Sequence, residues 1–376
     1  MIKKVAIISA HEDAEELFDV FQELDRERFA FSVISGRKTV LSSAQKRNWP
    51  AKKLLDLIIL PKKNWLFLFF LPIYLLLFLP YVVLLKWRDH YQTILCCDLC
   101  SKIIFTPWAR LMKIKIIWFV YPEADIVHLN KLLASFLRLW SKRVKIITST
   151  LGAKKKLIAS GFENEAIKNI TLGANLNLYR HQDNIFSKLA SAKNHWPQRK
   201  FFTIGTVTCL DQKQNIETLF NATKKLLDVI PFPQIVIVGE GQERKNLTWL
   251  AKKMEIDNFV WFVGEQNNLK KWLDTFDVFV ATNEVIKLSD LNIVMRAMAA
   301  GLPIIGPTGN NLEEIVNNNE NGLLIEMNNS EDLAQVIIKL QQRQDWRRLI
   351  GEKNKNRAAT EFNIEKTVAE FTKLLS

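Results

Sequence analysis

The chain has 376 residues, 48% of them hydrophobic and 24% charged, which is enough to bury a large core and excludes a disordered or repeat protein; length of this order divides into two domains. Its formal charge of +13, from 52 Lys and Arg against 39 Asp and Glu, points to an anionic partner: nucleic acid, a phosphorylated small molecule or an acidic membrane surface. No basic block is long enough for a nucleic-acid tail, and no zinc-finger, RNP-like or helix-turn-helix pattern occurs, so nucleic acid is set aside.

In chain order, Lys4 to Ser9 reads as a short apolar strand, Asp13 to Leu24 as an amphipathic helix, and Phe29 to Ser35 and Leu54 to Leu60 as two further strands. That β-α-β opening predicts a doubly wound α/β domain. The first 150 residues hold a single glycine, Gly36, whereas nine lie between residues 200 and 351. A glycine-rich phosphate loop after the first strand is therefore excluded, and nucleotide binding, if any, belongs to the second half. His11, in the turn after the first strand, is expected to sit at a strand carboxyl end facing the cleft; the alternative is an exposed neighbour of the helix start.

Trp65 to Leu85 is a run of 21 residues without a charge, flanked by Lys62, Lys63, Lys86 and Arg88. A single bilayer crossing would separate the first three strands from their sheet partners, and Pro72 and Pro80 are expected to break the run into short helical pieces. The reading adopted is one or two helices lying in the membrane surface, with the lysines at anionic headgroups and Trp65, Tyr74 and Trp87 at the interface. A buried helical pair and a true span are the alternatives.

Thr93 to Cys97 and Lys115 to Val120 are the next strands, and they place Asp98 and Glu123 at strand carboxyl ends, where either could contact the acceptor or act as a base. Capping or plain solvation is the competing role. The cysteines, Cys96, Cys97, Cys100 and Cys209, follow no secretory signal and have no histidine at ligand spacing, so reduced cytosolic thiols and no metal site are expected; the alternative is Cys97-x-x-Cys100 as a redox or metal half-site, although it follows an apolar run and has no second pair. Lys145 to Ser149 precedes a basic helix with Lys154, Lys155 and Lys156, and Ile167 to Leu172 closes the half. The polar stretch from Tyr179 to Lys200 is the natural linker.

Phe202 to Val207 restarts the pattern, followed by a helix from Ile216 to Leu227, a strand Gln234 to Val238 ending at Gly239-Glu240-Gly241, a helix Leu247 to Met254, and a strand Asn258 to Val263 ending at Gly264. Asp277 to Val316 then reads as a buried strand, a polar loop, a helix starting near Leu291, and a second strand after Gly301 and Pro303. The loop from Thr282 to Asn292 is the candidate anion site, because helix amino-termini at strand carboxyl ends present free N–H groups.

The segments IGTVTCLDQKQNIETLFNA, IVIVGEGQERKNLTWLAKKMEIDNFVWFVGEQNNLKKWLDTFDVFVAT, RAMAAGLPIIGP and LEEIVNNNENGLLIE resemble the donor domain of retaining family-4 glycosyltransferases. ITLGANLNLYR resembles that family's close of the first domain, and FNIEKTVAEFTKLL its terminal helix. The resemblance implies a GT-B fold, two Rossmann-like β/α/β domains facing a cleft. The expected division is an acceptor-side domain over 1–175 with a membrane-associated segment at 62–88, a linker at 176–200, a donor domain over 201–360, and a helix at 361–376 returning to the first domain.

It further implies transfer of a sugar, with retention, from a nucleotide-diphosphate sugar, a UDP- or GDP-sugar, to an acceptor held by the first domain, with no metal and no cofactor beyond the sugar nucleotide. The apolar run suggests a lipid-linked or membrane-proximal glycan acceptor and attachment at the inner face of the membrane. The chain departs from the family at its signature positions. The diphosphate-binding arginine aligns with Cys209, the lysine with Gln214 beside Lys213, and the two glutamates with Leu288 and Arg296. Either the pocket is rebuilt, with Lys213, Arg296 and the amides of Ser289, Asp290 and Asn292 holding the diphosphate beside Gly239 and Gly264, or the chain is a non-catalytic homologue that partners an active transferase.

Overall fold

The computed structural model describes residues 2–11, 13–54, 64–122, 131–142, 144–180, 201–211, 215–230, 232–284, 286–309 and 311–376, with 64–71, 131–133 and 180 described as backbone. The chain forms two compact units, Met1–Leu172 together with Glu365–Ser376, and Gly173–Ile364.

The first unit alternates strands and helices: β1 (Lys3–Ile8), α1 (Ala14–Gln22), β2 (Phe29–Ser35), α2 (Lys38–Lys46), β3 (Ala51–Lys53), α3 (Asn64–Trp87), β4 (Thr93–Cys96), α4 (Leu99–Leu111), β5 (Lys115–Val120), α5 (Lys131–Ser141), β6 (Lys145–Thr148), α6 (Leu151–Ala159) and β7 (Ile167–Asn169). Its seven strands are all parallel in the order β3-β2-β1-β4-β5-β6-β7. Helices cover both faces of such a sheet, which is why the central strands are apolar without alternation. In β5, Ile116 to Val120 are all buried, and the Trp118 indole donates to Thr106 Oγ1 at 2.9 Å rather than being left unpaired.

Two expectations change here. The third strand lies at Ala51–Lys53, upstream of the expected Leu54 to Leu60, and 55–63 lie outside the described residues. The proline-bearing run is one continuous helix of 24 residues, Asn64–Trp87, with Pro72 and Pro80 inside it. A proline removes a single N–H and displaces one carbonyl, and both prolines sit on the exposed side, where water can bond the freed group. Tyr74, expected at a lipid interface, packs instead against the protein core with Leu75 and Tyr81, while Phe78, Val82 and Leu85 are fully inside it. The side chains of Lys62, Lys63 and Trp65 lie outside the described residues. Among the described residues no helix is long and apolar enough to cross a membrane.

The second unit holds α7 (Asn177–Arg180), β8 (Phe202–Val207), α8 (Ile216–Leu226), β9 (Pro233–Val238), α9 (Arg244–Lys253), β10 (Val260–Gly264), α10 (Leu269–Leu273), β11 (Val278–Val280), α11 (Leu288–Ala299), β12 (Ile304–Pro307), β13 (Gly322–Ile325), α12 (Ser330–Gln342) and α13 (Gln344–Glu361). Its six parallel strands run β10-β9-β8-β11-β12-β13. Gly205 in β8 leaves room for the Phe276 ring, which a Cβ would meet at 2.0 Å. Buried Asn354 donates to the Leu302 carbonyl at 2.7 Å and accepts from Asn321 at 2.9 Å, tying α13 to the loops around β12.

The last helix, α14 (Ile364–Leu375), leaves the second unit at its first residue and belongs to the first from Glu365 onward. Phe371 is fully buried and meets Phe21 edge to face at 5.0 Å. Lys115 Nζ donates to the Leu374 carbonyl at 2.6 Å and Lys3 Nζ to the Leu375 carbonyl at 3.4 Å, so cations from two strand starts satisfy the helix's carboxyl end. Phe371→Ala is expected to destabilise the first unit by about 3–5 kcal/mol. Urea unfolding followed by tryptophan fluorescence would check it.

Candidate active site

Each sheet has one place where the strand order reverses direction, and the two loops leaving adjacent strands there diverge to opposite faces, opening a crevice at the carboxyl edge. In the first unit that point lies between β1 and β4. It carries Ser9, Ala10 and His11 from one strand end and Cys97 and Asp98 from the other, with Tyr121 following β5.

Asp98 Oδ2 accepts the Ala10 amide at 2.7 Å, joining the two loops. Its own amide donates to Ser101 Oγ at 3.2 Å, and that hydroxyl donates back to the Asp98 carbonyl at 2.8 Å, which closes the first turn of α4. His11 Nδ1 accepts the Asp13 amide at 3.2 Å, so a neutral ring carries its proton on Nε2. The imidazole stacks on Tyr121 at 3.9 Å between centroids and 10° between planes. Behind them Lys102, 2% exposed, donates to the Cys97 carbonyl at 2.7 Å.

Burial pushes the Asp98 carboxyl up to about 6, against the opposing pull of the Ala10 amide, Lys102 and Arg37. Burial likewise lowers Lys102 and pushes the Cys97 thiol up to about 12. Protonated, buried thiols are poor nucleophiles and poor ligands, which argues against a redox or metal role for Cys97 and Cys100. Among the described residues no group of three His, Cys, Asp or Glu side chains is placed to hold a metal ion. Of the expected residues, the structure thus brings Asp98 and His11 together, whereas Glu123 lies outside the described residues. Lys102 and Tyr121 are additions; in the sequence they were hidden inside a helix and at the end of an apolar run.

In the second unit the reversal lies between β8 and β11. Gly239 follows β9 with φ +139°, and a Cβ there would stand 1.9 Å from the Thr208 carbonyl oxygen. Its amide donates to the Gly264 carbonyl at 2.9 Å, and the Leu210 amide to the Glu240 carbonyl at 2.9 Å. Gly264, with φ +76°, has Glu240 Oε1 at 3.0 Å from where its Cβ would be. Both glycines are therefore needed to seat the loops after β8, β9 and β10 on one another, a reason independent of any ligand.

The helix expected near Leu291 starts one turn earlier, at Leu288. The Lys287 amide donates to Asp290 Oδ2 at 2.8 Å, so Asp290 caps its own helix and places negative charge at its amino end. Leu288 is 2% exposed and points into the protein. Arg296 sits in the last turn, about 12 Å along the axis from Leu288 at 1.5 Å per residue. Its Nε donates to Asn292 Oδ1 at 2.8 Å, and its guanidinium opposes the upward pull of burial on the Tyr179 phenol, which stands at about 12. Among the described residues Arg296 makes no ion pair. Ser289 and Asn292 are half-buried on the first two turns, Cys209 is exposed after β8, and Lys213 and Gln214 lie outside the described residues. The Thr206 hydroxyl in β8 and the Thr282 hydroxyl just beyond β11 are buried with no hydrogen-bond partner among the described residues. Thr282 opens the expected anion loop, whereas nothing in the sequence flagged Thr206, because strand order cannot be read from periodicity.

Both units are doubly wound parallel sheets, and solved structures share the whole arrangement of elements. The Anabaena HepE protein in complex with UDP aligns over 100% of this chain and 99% of its own, with a TM-score of 0.77 at 16% identity. The fold is GT-B. Residues 198–343, all within the second unit, match the family described as glycosyl transferases group 1. The N-acetyl-alpha-D-glucosaminyl L-malate synthase of Bacillus anthracis is 28% identical over 161 residues, 40% of this chain and 42% of that protein. The lipopolysaccharide core biosynthesis glycosyltransferase LpsE of Rhizobium meliloti is 24% identical over 165 residues, 44% of this chain and 47% of that protein. The matched part thus spans less than half the length of either curated relative.

Two outcomes test this geometry. Asp98 has a folded pKa raised to about 6 over an unfolded value of about 3.9, so its contribution to stability is present below pH ~4 and is lost as pH rises through ~6. Relative to Asp98→Asn, the parent is expected to lose up to about 3 kcal/mol across that window, read from urea midpoints at each pH. Gly239→Ala is expected to cost about 2–5 kcal/mol from backbone strain and the clash with Thr208, measurable as a fall in melting temperature.

Proposed function

We propose that the chain is a glycosyltransferase that moves a sugar, with retention, from a UDP- or GDP-sugar bound by the second unit to a glycan or lipid-linked acceptor bound by the first, in the assembly of cell-surface glycan. The observation that carries the reading is the carboxyl edge of the second sheet. The amino end of α11 and the unpaired Thr206 and Thr282 hydroxyls lie on the two strand-and-loop units flanking the reversal point, where polar ligands meet a parallel sheet. The family match over 198–343 supports the donor role of the same unit. UDP in the HepE structure and the lipopolysaccharide role of the Rhizobium relative support a sugar nucleotide and a surface glycan.

Departure of the diphosphate builds negative charge that fixed dipoles stabilise most effectively when water is excluded. The dipole at the amino end of α11, with Ser289 and Lys213, supplies that field. Asp290 is committed to its own cap, so it shapes the helix start and leaves the sugar to Asn292. Arg296 acts with Asn292, whose side-chain oxygen accepts from its Nε. On the acceptor side Asp98, with a pKa near 6, accepts the proton of the attacking hydroxyl at neutral pH, while His11 donates from Nε2.

A second reading is favoured by Leu288, which is buried where the family places an acidic residue: a non-catalytic homologue that retains the scaffold and serves as a partner or binding subunit. Calorimetry with UDP and GDP, joined to a nucleotide-release assay over a panel of sugar nucleotides, separates the two. The transferase reading expects binding of one nucleotide, weakened about tenfold in Arg296→Ala. It also expects turnover that falls about a hundredfold in Asp98→Asn at unchanged nucleotide affinity. Failure of the parent to bind either nucleotide would sink it, and binding without turnover would hand the chain to the second reading.

A further inference from the structure

The charge of this protein is not shared between its units. The first, Met1–Leu172 with Glu365–Ser376, has 29 Lys and Arg against 17 Asp and Glu, whereas Gly173–Ile364 has 23 against 22. Nearly the whole excess of +13 therefore belongs to one unit. Within that unit the helices of one side of the sheet hold most of the imbalance. Helices α3, α4, α5 and α6 pack on the same face, sharing one core cluster built on Phe78, Phe105, Leu137 and Leu157. Their sequences contain no Asp or Glu, yet they carry Lys86, Arg110, Arg138, Lys154, Lys155 and Lys156. Helices α1 and α14, joined on the other face by Phe21 and Phe371, and α2 beside α1, are near balance, with Glu15, Glu16, Asp19, Glu365 and Glu370 against Lys38, Lys46, Lys366 and Lys373.

The same four-helix layer holds an apolar outer surface. In α3 the inward stripe is Phe78, Val82 and Leu85, and the opposite stripe, which in an ordinary surface helix is polar, consists of Ile73, Leu76, Leu77, Leu84 and Trp87, each between 44% and 74% exposed. From 73 to 87 that stripe runs about 21 Å along the axis. Leu111 at the end of α4 and Leu139 on α5 are exposed as well, at 71% and 63%. An apolar surface of this extent, set among cations, marks a binding face.

We propose that the α3–α6 face of the first unit docks on an anionic lipid bilayer. The helix α3 lies in the plane of the surface, its outer stripe enters the headgroup–acyl boundary, and the lysines and arginines of the neighbouring helices meet anionic headgroups. A second copy of the chain is a poor occupant, because a two-fold contact would bring the same uncompensated cations face to face. A bilayer satisfies the apolar stripe and the cations together. The inference rests on the reading of a lipid-linked acceptor, and it gives that acceptor's unit the means to stay at the surface where such a substrate resides.

Flotation of the full chain with phosphatidylcholine vesicles, with and without phosphatidylglycerol, tests it. The parent is expected to rise with the anionic vesicles only, and to be released as salt shortens the Debye length to about 3 Å at 1 M. Leu76→Glu with Leu77→Glu is expected to lower vesicle binding at least tenfold, and Lys154→Glu with Lys155→Glu and Lys156→Glu several-fold. Parent protein left in the soluble fraction with anionic vesicles overturns the proposal, as does flotation unaffected by the leucine changes. A dimer that the leucine variant dissolves, without flotation, also overturns it and gives the face to a second copy. Melting curves and UDP and GDP calorimetry on the same samples keep the outcomes apart: lost flotation with retained fold and nucleotide binding removes only the docking, and lost nucleotide binding in a protein that still floats removes only the donor reading.

Discussion

A parallel strand can be followed by another only after the chain has crossed back over one face of the sheet, and the crossing has a fixed hand. Every site in this protein depends on that constraint. Because crossings from β1 toward β2 and from the β4 side use opposite faces, the loops at Ala10 and Asp98 part company, and the same happens between β8 and β11. What the chain then does at each gap is chemical: in the first unit Asp98 stitches the two loops through the Ala10 amide, and in the second the loops are seated on glycines.

The two edges treat charge differently. The first unit buries a carboxyl and an ammonium within one turn of each other, Asp98 and Lys102, and burial moves both toward their neutral forms. Groups pushed in opposite directions by one environment are well suited to exchanging a proton with a bound hydroxyl. The second unit offers uncharged hydroxyls and a capped helix start, which suit the anionic ligand proposed for it. The long-range field follows the same division, with the excess of cations confined to the unit that has the apolar helix layer.

Much of this was legible in the residues because burial imprints directly on composition. Strands such as KIIWFV and PQIVIV are apolar without alternation, and their places and parallel pairing follow from the helices between them. Asp98 and His11 were found by position, since a polar residue just after a buried strand must sit at a carboxyl edge. Other features depend on contacts distant in sequence and leave no periodic trace. The Thr208 carbonyl packed against Gly239 is a contact of that kind, and the hydrogen bond from Arg296 to the Asn292 oxygen one turn back was likewise not shown by the sequence. Prolines in α3 misled for a local reason: the rule that proline breaks helices counts the lost bond and ignores that solvent can replace it on an exposed side.

The final helix has a consequence for the order in which the chain is made. Lys3 and Lys115 wait for carbonyls at Leu375 and Leu374, and Phe21 for Phe371, while the entire second unit is encoded between them and is contiguous. On the ribosome the second unit can close as soon as it has emerged. The first must remain open, with Phe21 uncovered, for roughly ten to forty seconds at 5–20 residues per second. The older part of the nascent chain is thus the later to mature, and the interval is one in which a chaperone has an aromatic surface to hold.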